Sequence, residues 1–337
     1  MTKKSDAILE AKNLKTYFRL DEGTLKAVDG VNFKIEEGKT MGLVGESGCG
    51  KSVTAYSLLK IIPPEASGSG EVLLRRKIKP GTYEVIDIMK MDIRGKAIRE
   101  IRGKEISMIF QEPMTSLSPV HSIGNQILEA IYLHKTKEKK QARELALEIL
   151  KKVGVANPAQ TIEDYPHHLS GGMRQRAMIA MALCSHPALL IADEPTTSLD
   201  VTVQAQVLDL MKSLQAEFGM SILFITHDLG VIAEMTDVVT VMYLGKIVEC
   251  GTVGDIFDEP LHPYTQALLK SIPQVGAKAK SPLQAIQGSV PVPLDFPIMC
   301  PFFSRCSQAR QGMCDTAFPP ETLIKNEHRV SCFLYSS

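Results

Sequence analysis

No stretch of this 337-residue chain is apolar for anything near the roughly 18 residues that suggest a membrane-spanning helix; the longest runs, 178–184, 188–192 and 238–244, fall far short. The chain is not expected to cross a bilayer. It also lacks net charge. Thirty-eight basic and 38 acidic side chains cancel, so no global field draws the protein to nucleic acid or to an anionic membrane. The start, Met-Thr-Lys-Lys-Ser-Asp, is basic without an apolar segment behind it, which argues against a secretory signal and for the cytosol. There the seven cysteines should be reduced, and four of them, Cys300, Cys306, Cys314 and Cys332, fall within the last 38 residues. That crowding points to metal rather than to disulfides. Internal repeats and low-complexity tracts are absent as well. What is present is enough apolar residue, 44% of the chain, and enough length for about two domains with a sizeable core.

Three short runs rich in β-branched residues, Thr40–Val44, Leu189–Asp193 and Ser221–Thr226, read as strands buried on both faces of a sheet, so the expected class is α/β. Between the first and second lies a segment of helical character, roughly 90–168. In it Ala142, Leu145, Ala146, Ile149, Leu150 and Val153 recur at helical spacing and lead into Lys151-Lys152 and Gly154, a cationic last turn and a left-handed cap. The turn Lys79-Pro80-Gly81 divides two alternating stretches, so 70–88 predicts an antiparallel hairpin. Beyond Gly251 the strand pattern stops, and a proline-rich, loop-rich tail carries the cysteines.

The chemistry begins at Gly45-Glu46-Ser47-Gly48-Cys49-Gly50-Lys51-Ser52, which matches G-x-x-x-x-G-K-[ST] directly after a strand. Glycines there let successive N–H groups aim at a phosphate, while the following helix, expected over 51–62, presents its positive end. Lys51 supplies a point charge between β- and γ-phosphates, and the Ser52 hydroxyl is a hard ligand for Mg²⁺. Gly45, Ser47, Gly48, Cys49, Gly50, Lys51, Ser52 and Val53 are therefore the expected nucleotide contacts. Cys49 either fills a free position of the loop or is a thiol acidified by the helix end. The strand 188–192 delivers Asp193 and Glu194 side by side. Because alternate side chains of a strand face opposite ways, Asp193 is expected at the Mg²⁺ and Glu194 at the attacking water. General-base help of that kind is worth about 10²–10⁴ in rate.

A second anion site follows from Leu169-Ser170-Gly171-Gly172-Met173-Arg174-Gln175-Arg176, which ends 18 residues before Glu194. Ser170 caps a helix whose first turn is two glycines, so N–H groups and a hydroxyl face outward unobstructed. The phosphate loop already has its own cradle, so this surplus site makes sense if it closes on nucleotide held by another subunit. At this point the sequence resembles the ATP-binding cassette (ABC) family over about residues 8–260, with Met173 in place of the usual glutamine of its LSGGQ signature. The resemblance implies a phosphate-loop ATPase core in two parts, 1–89 with an antiparallel β subdomain and 169–251, interrupted by a helical subdomain at 90–168. It implies that Gln111 in Ile109-Phe110-Gln111-Glu112-Pro113 ligates Mg²⁺, that Asp200 in Ser198-Leu199-Asp200 belongs to the D-loop, and that His227 contacts the γ-phosphate. It also implies an aromatic stacked on adenine, Phe18 with Tyr17 as the rival.

Glu259-Pro260-Leu261-His262-Pro263-Tyr264-Thr265, with the later Cys300-Pro301-Phe302-Phe303-Ser304-Arg305-Cys306, resembles the C-terminal extension of dipeptide and oligopeptide importer ATPases, here 252–337. The cysteine spacing, Cys-x5-Cys-x7-Cys-x17-Cys, lacks paired C-x-x-C knuckles. The resemblance implies a four-iron four-sulfur cluster on Cys300, Cys306, Cys314 and Cys332; tetrahedral zinc and four packed free thiols remain open. The expectation is an ATP-hydrolysing subunit at the cytoplasmic face of the membrane, paired with a second ATPase, two permeases and an external peptide-binding protein, with no nucleic-acid partner. A soluble ABC protein of translation or DNA repair is the rival, and such proteins usually carry two cassettes or a long coiled coil. The tail as a sensor of substrate or redox state could coexist with either. Dipeptide, oligopeptide, glutathione and nickel all remain open as the solute.

Overall fold

The computed structural model describes residues 7–79, 81–112, 116–197, 199–272 and 286–336. Twelve strands among them form two sheets. β1 (Ala7–Leu20) and β2 (Gly23–Glu36) form a long antiparallel pair, joined on the other side of β1 by β4 (Ala66–Lys79) and then β5 (Thr82–Asp87), in the order β2-β1-β4-β5. The β4–β5 pair is the hairpin expected from the turn at 79–81, with Pro80 outside the described residues.

The second sheet holds β3 (Thr40–Val44), β6 (Ile106–Ile109), β7 (Leu189–Asp193), β8 (Ser221–Thr226), β9 (Val238–Tyr243), β10 (Lys246–Thr252), β11 (Glu321–Lys325) and β12 (His328–Ser331). Their order is β11-β12-β10-β9-β3-β8-β7-β6, and the run from β9 to β6 is parallel. Every residue of β3, β7 and β8 is buried, as continuous apolar runs in a parallel sheet require. The two faces serve two cores. Leu43, Leu189, Ile191, Leu223 and Ile225 pack with the β1–β2–β4 side, whereas Val44, Leu190, Ala192, Ile222 and Phe224 pack with the helices.

The helical segment contains Ile123–His134 and Lys139–Lys152, and the stripe Ala142, Ala146, Ile149 and Leu150 is buried between them and their neighbours. Gly154 takes φ 72 just beyond the helix end, the left-handed cap that its position suggested. Three expectations need correction. The span 90–168 is not purely helical: β6 lies within it and pairs with β7, four residues being too few to show a period. The strand pattern does not end at Gly251 either, because β11 and β12 extend the sheet beyond β10. The helix after the phosphate loop is Lys51–Leu58 rather than 51–62, since Lys60 adopts φ 51 and turns the chain before the prolines.

Candidate functional site

Sheet register assembles the site. Val44 pairs with Thr226 and Asp193 with Ile225, so β3, β7 and β8 end level with one another. Ile109 at the end of β6 pairs with Ala192. The phosphate loop, Gln111, Asp193-Glu194 and His227 thus emerge at one edge, outside the carboxyl ends of parallel strands, where α/β sheets bind ligands. A cavity of about 620 Å³ opens there, lined by Ser47, Gly48, Gly50, Lys51, Ser52, Val53, Gln111 and Glu194 on one side. Phe18, Leu20, Leu25 and Ala27 line another, and residues 290–293 of the tail complete it.

The loop is tightly built. Gly50 takes φ 104, and a Cβ there would strike the Ala27 carbonyl, so only glycine suits the position. Lys51 is buried, and its Nζ donates to the Gly45 carbonyl at 2.8 Å and the Glu46 carbonyl at 3.1 Å. Gly45 and Cys49 do not line the cavity. Cys49 is 1% exposed and belongs to the apolar core, and burial pushes its thiol up despite Lys51 nearby. The reading of Cys49 as an acidified thiol is therefore corrected; desolvation outweighs the helix end.

Asp193 is fully buried, and neither of its carboxylate oxygens has a hydrogen-bond partner. Burial pushes its carboxyl up to about 6, with the Glu194 charge adding to it; the Lys51 charge opposes this, as does the Ser52 hydroxyl, which is near enough to do so but does not meet hydrogen-bond geometry with either oxygen. Two orphaned buried oxygens fit a divalent cation, which would repay their desolvation. Glu194 lies beyond the strand in a left-handed conformation, φ 47, so a turn and not strand alternation separates its role from that of Asp193. Its carboxylate accepts from Gln111 Nε2 at 3.0 Å and Thr197 Oγ1 at 2.9 Å, and His227 Nδ1 stands at 3.0 Å. Burial raises its pKa, but the His227 and Thr197 hydrogen bonds outweigh that and hold it below the usual value. Thr197 is a contact that sequence reasoning missed; a lone threonine after Glu-Pro carries no pattern.

Phe18 lines the cavity, whereas the Tyr17 hydroxyl is tied to Asp29 and Tyr17 is not part of the lining. Ser170 caps the Gly171–Leu183 helix by accepting from Met173 N at 3.3 Å, and Asp200 caps Val201–Phe218 by accepting from Val203 N at 3.0 Å. Ser170, Gly171, Gly172 and Asp200 do not line this chain's own nucleotide cavity. Ser198 and Pro113 lie outside the described residues.

The tail docks firmly on the core. Buried Glu249 accepts from the backbone N–H groups of Leu261 (2.8 Å) and His262 (2.9 Å), and His328 Nε2 is 2.8 Å away. Cys300, Cys306, Cys314 and Cys332 line one small cavity of about 10 Å³ with Phe302 and His262. Burial pushes the Cys300 thiol up to about 12 and raises Cys306 and Cys332. Among the described residues no group of three or more His, Cys, Asp or Glu side chains could hold a metal ion. Cys184 is buried at the end of the Gly171–Leu183 helix, and Cys250 is partly buried on β10.

A phosphate loop and a buried carboxylate beside a held glutamate, at the carboxyl edge of a parallel sheet, define a phosphate-loop nucleotide-binding cassette. The sequence pattern described as "ABC transporter" matches residues 28–197, and that described as "Oligopeptide/dipeptide transporter, C-terminal region" matches 248–314. The chain is 51% identical over 328 residues to the oligopeptide transport ATP-binding protein AppD of Bacillus subtilis, covering 97% of each chain. It is 44% identical to the dipeptide transport ATP-binding protein DppD of the same organism, covering 98% of this chain and 95% of that one. Among solved structures it resembles the dimeric bacterial ABC transporter cassette MJ0796, with a TM-score of 0.62 and 26% identity over 73% of this chain and 98% of that one. The chain belongs to the ABC transporter family, as an ATP-hydrolysing, nucleotide-binding subunit. Among the described residues no helix is long and apolar enough to cross a membrane.

Proposed function

We propose that this chain drives uptake of di- or oligopeptides from the cytoplasmic face of the membrane, acting with a second cassette ATPase, two permeases and an extracytoplasmic peptide-binding protein. The observation that carries the reading is the division of the ATP site. Lys51, Glu194 and Gln111 line the cavity, and Asp193 and His227 stand at the same sheet edge without lining it, while Ser170–Gly172 and Asp200, which begin two other helices, take no part in the lining and suit nucleotide held by an opposing subunit. Peptide as the solute is supported by the matched C-terminal region and by the relatives' names.

In this reading Lys51 and the loop N–H groups hold the polyphosphate. Ser52, Gln111 and Asp193 would hold Mg²⁺, which when bound supplies positive charge to the phosphate oxygens. Glu194, kept ionised by its partners, takes a proton from the attacking water, and Gln111, Thr197 and His227 hold its carboxylate in place. Phe18 stacks on adenine. Hydrolysis then releases the opposing Ser170–Gly172 surface, and the permeases follow.

The four tail thiols would hold a four-iron four-sulfur cluster. All four thiols line one shared cavity, and the spacing without paired C-x-x-C knuckles supports a cluster over zinc in this reading. The cavity is about 10 Å³, so a cluster would spread the loops that carry the thiols. Its role in this reading is structural. Reconstitution with permeases, the paired ATPase and binding protein in liposomes tests the whole: ATP-dependent peptide uptake is expected, and ATP hydrolysis without association with any permease would refute it.

A further inference from the structure

The C-terminal extension touches the phosphate loop itself. Arg305, whose side chain is 4% exposed, forks onto Glu46, with Nη1 donating to Oε2 at 2.7 Å and Nη2 to Oε1 at 3.0 Å. Nη1 also donates to the Tyr243 hydroxyl at 3.2 Å, and Nε and Nη2 donate to the carbonyls of Gln287 (3.0 Å) and Gly288 (3.2 Å). The Glu46 backbone N–H in turn donates to the Tyr264 hydroxyl at 2.9 Å. Glu46 is thus held at both side chain and backbone by residues of the extension, 259 and 218 positions away. Its carbonyl, with that of Gly45, is what holds Lys51 Nζ. A bidentate guanidinium–carboxylate pair fixes orientation as well as distance, which a lone ammonium does not.

The geometry points to Arg305 as a positioning residue of the ATP site: acting through Glu46, it sets the phosphate loop in its binding shape, so that the fold of the extension is read at the nucleotide. This rests on the ATP reading above. Arg305→Gln is expected to weaken both ATP and inorganic tripolyphosphate about tenfold, the equivalent of about 1.4 kcal/mol, and to raise KM with kcat at saturating ATP little changed. Arg305→Lys should recover only part of the loss. Glu46→Gln should match Arg305→Gln, and the double variant should be no worse than either. Glu46 is partly exposed, so its variant keeps the test available if Arg305→Gln fails to fold. Variants that melt earlier yet bind both ligands like the parent would reduce Arg305 to a staple of the tail. A parent protein that binds no ATP would instead overturn the proposed function.

A separate observation concerns the other end of the cavity. The Lys26 amide donates to the Pro293 carbonyl at 3.1 Å, the Asp295 amide to the Thr24 carbonyl at 2.9 Å, and the Thr24 amide to Asp295 Oδ1 at 3.0 Å. This stitching lays the tail along the start of β2 and holds residues 290–293 at the cavity that Phe18, Leu20 and Leu25 also line. Because that cavity is continuous with the phosphate loop, the structure assigns residues 290–293 as a second wall for the base of the bound nucleotide. Val292 is 70% exposed, so Val292→Asp should fold normally. It is expected to weaken ATP several-fold while leaving tripolyphosphate affinity unchanged, the opposite pattern to Arg305→Gln. Unchanged ATP affinity, or equal loss for both ligands, would remove the base-wall assignment.

Discussion

At Glu194 the backbone exception and the chemistry coincide. A non-glycine residue at φ 47 costs of order 1–3 kcal/mol, and the conformation persists because the Glu194 amide donates to Ile225 at 2.8 Å while three side chains hold the carboxylate. Glu194→Gln keeps the shape and loses the base, so nucleotide affinity should stay near the parent value while turnover falls at least about 10²-fold. Lys51→Ala should weaken binding itself. Titration calorimetry and phosphate release measured on both variants check this, and equal loss of binding in the two would undo the division of roles. His262 offers a pH test. Burial depresses its pKa to about 3, and its Nδ1 accepts the Tyr264 amide at 3.0 Å. The unfolded value is about 6.5, so the folded state binds fewer protons between the two. The stabilisation is complete above about pH 6.5 and is lost as pH falls toward 3, at about 1.4 kcal/mol per unit through that window. His262→Asn retains a capping acceptor without a titrating ring, so its melting temperature should fall less than the parent's between pH 7 and pH 5. Parallel declines would show that His262 contributes nothing to the pH dependence.

Elements differ in how plainly the sequence announces them. β3, β7 and β8 were legible to the residue because each is a short, largely apolar run buried on both faces and punctuated by Gly45, Glu194 or His227. β1 and β2 gave no clean alternation, and their ladder carries several register shifts that break the two-residue period. β11 and β12 are short, and β11 is largely exposed, so composition marks them as loop while edge pairing with β10 makes them strand. The Arg305–Glu46 contact was not legible at all, since nothing local links positions 259 apart. The extension makes its own prediction. Cys300 is buried against Phe302 and the other three thiols, so Cys300→Ser should loosen the tail and increase its proteolysis. Anaerobic preparation followed by iron, sulfide and zinc assays separates the cluster from zinc and from free thiols. Loss of iron and sulfide in Cys300→Ser with retained, weakened ATP binding is the expected pair of results; an iron-free parent protein would contradict the cluster.

For the whole molecule, the proposed function has each cassette supplying half of each ATP site. Phosphate loop, carboxylates and His227 converge because three strands end level, and that convergence follows from motif order along a parallel sheet. Ser170–Gly172 was legible as a capped helix start with an outward anion site, whereas Asp200 was named only through the family resemblance and its capping of Val201–Phe218 came from the structure; the proposed ligand of both is nucleotide on an opposing subunit, so no reading of one subunit completes them. The most direct test traps nucleotide in the assembled transporter whose two ATPase chains carry different tags. One chain bears Ser170→Arg, which places bulk and charge over the glycine pair. The account expects trapped nucleotide to vanish from the phosphate loop of the opposite ATPase chain, while the variant's own Lys51 site still captures it. Loss confined to the variant's own site, or no loss on either chain, would contradict the shared-site account.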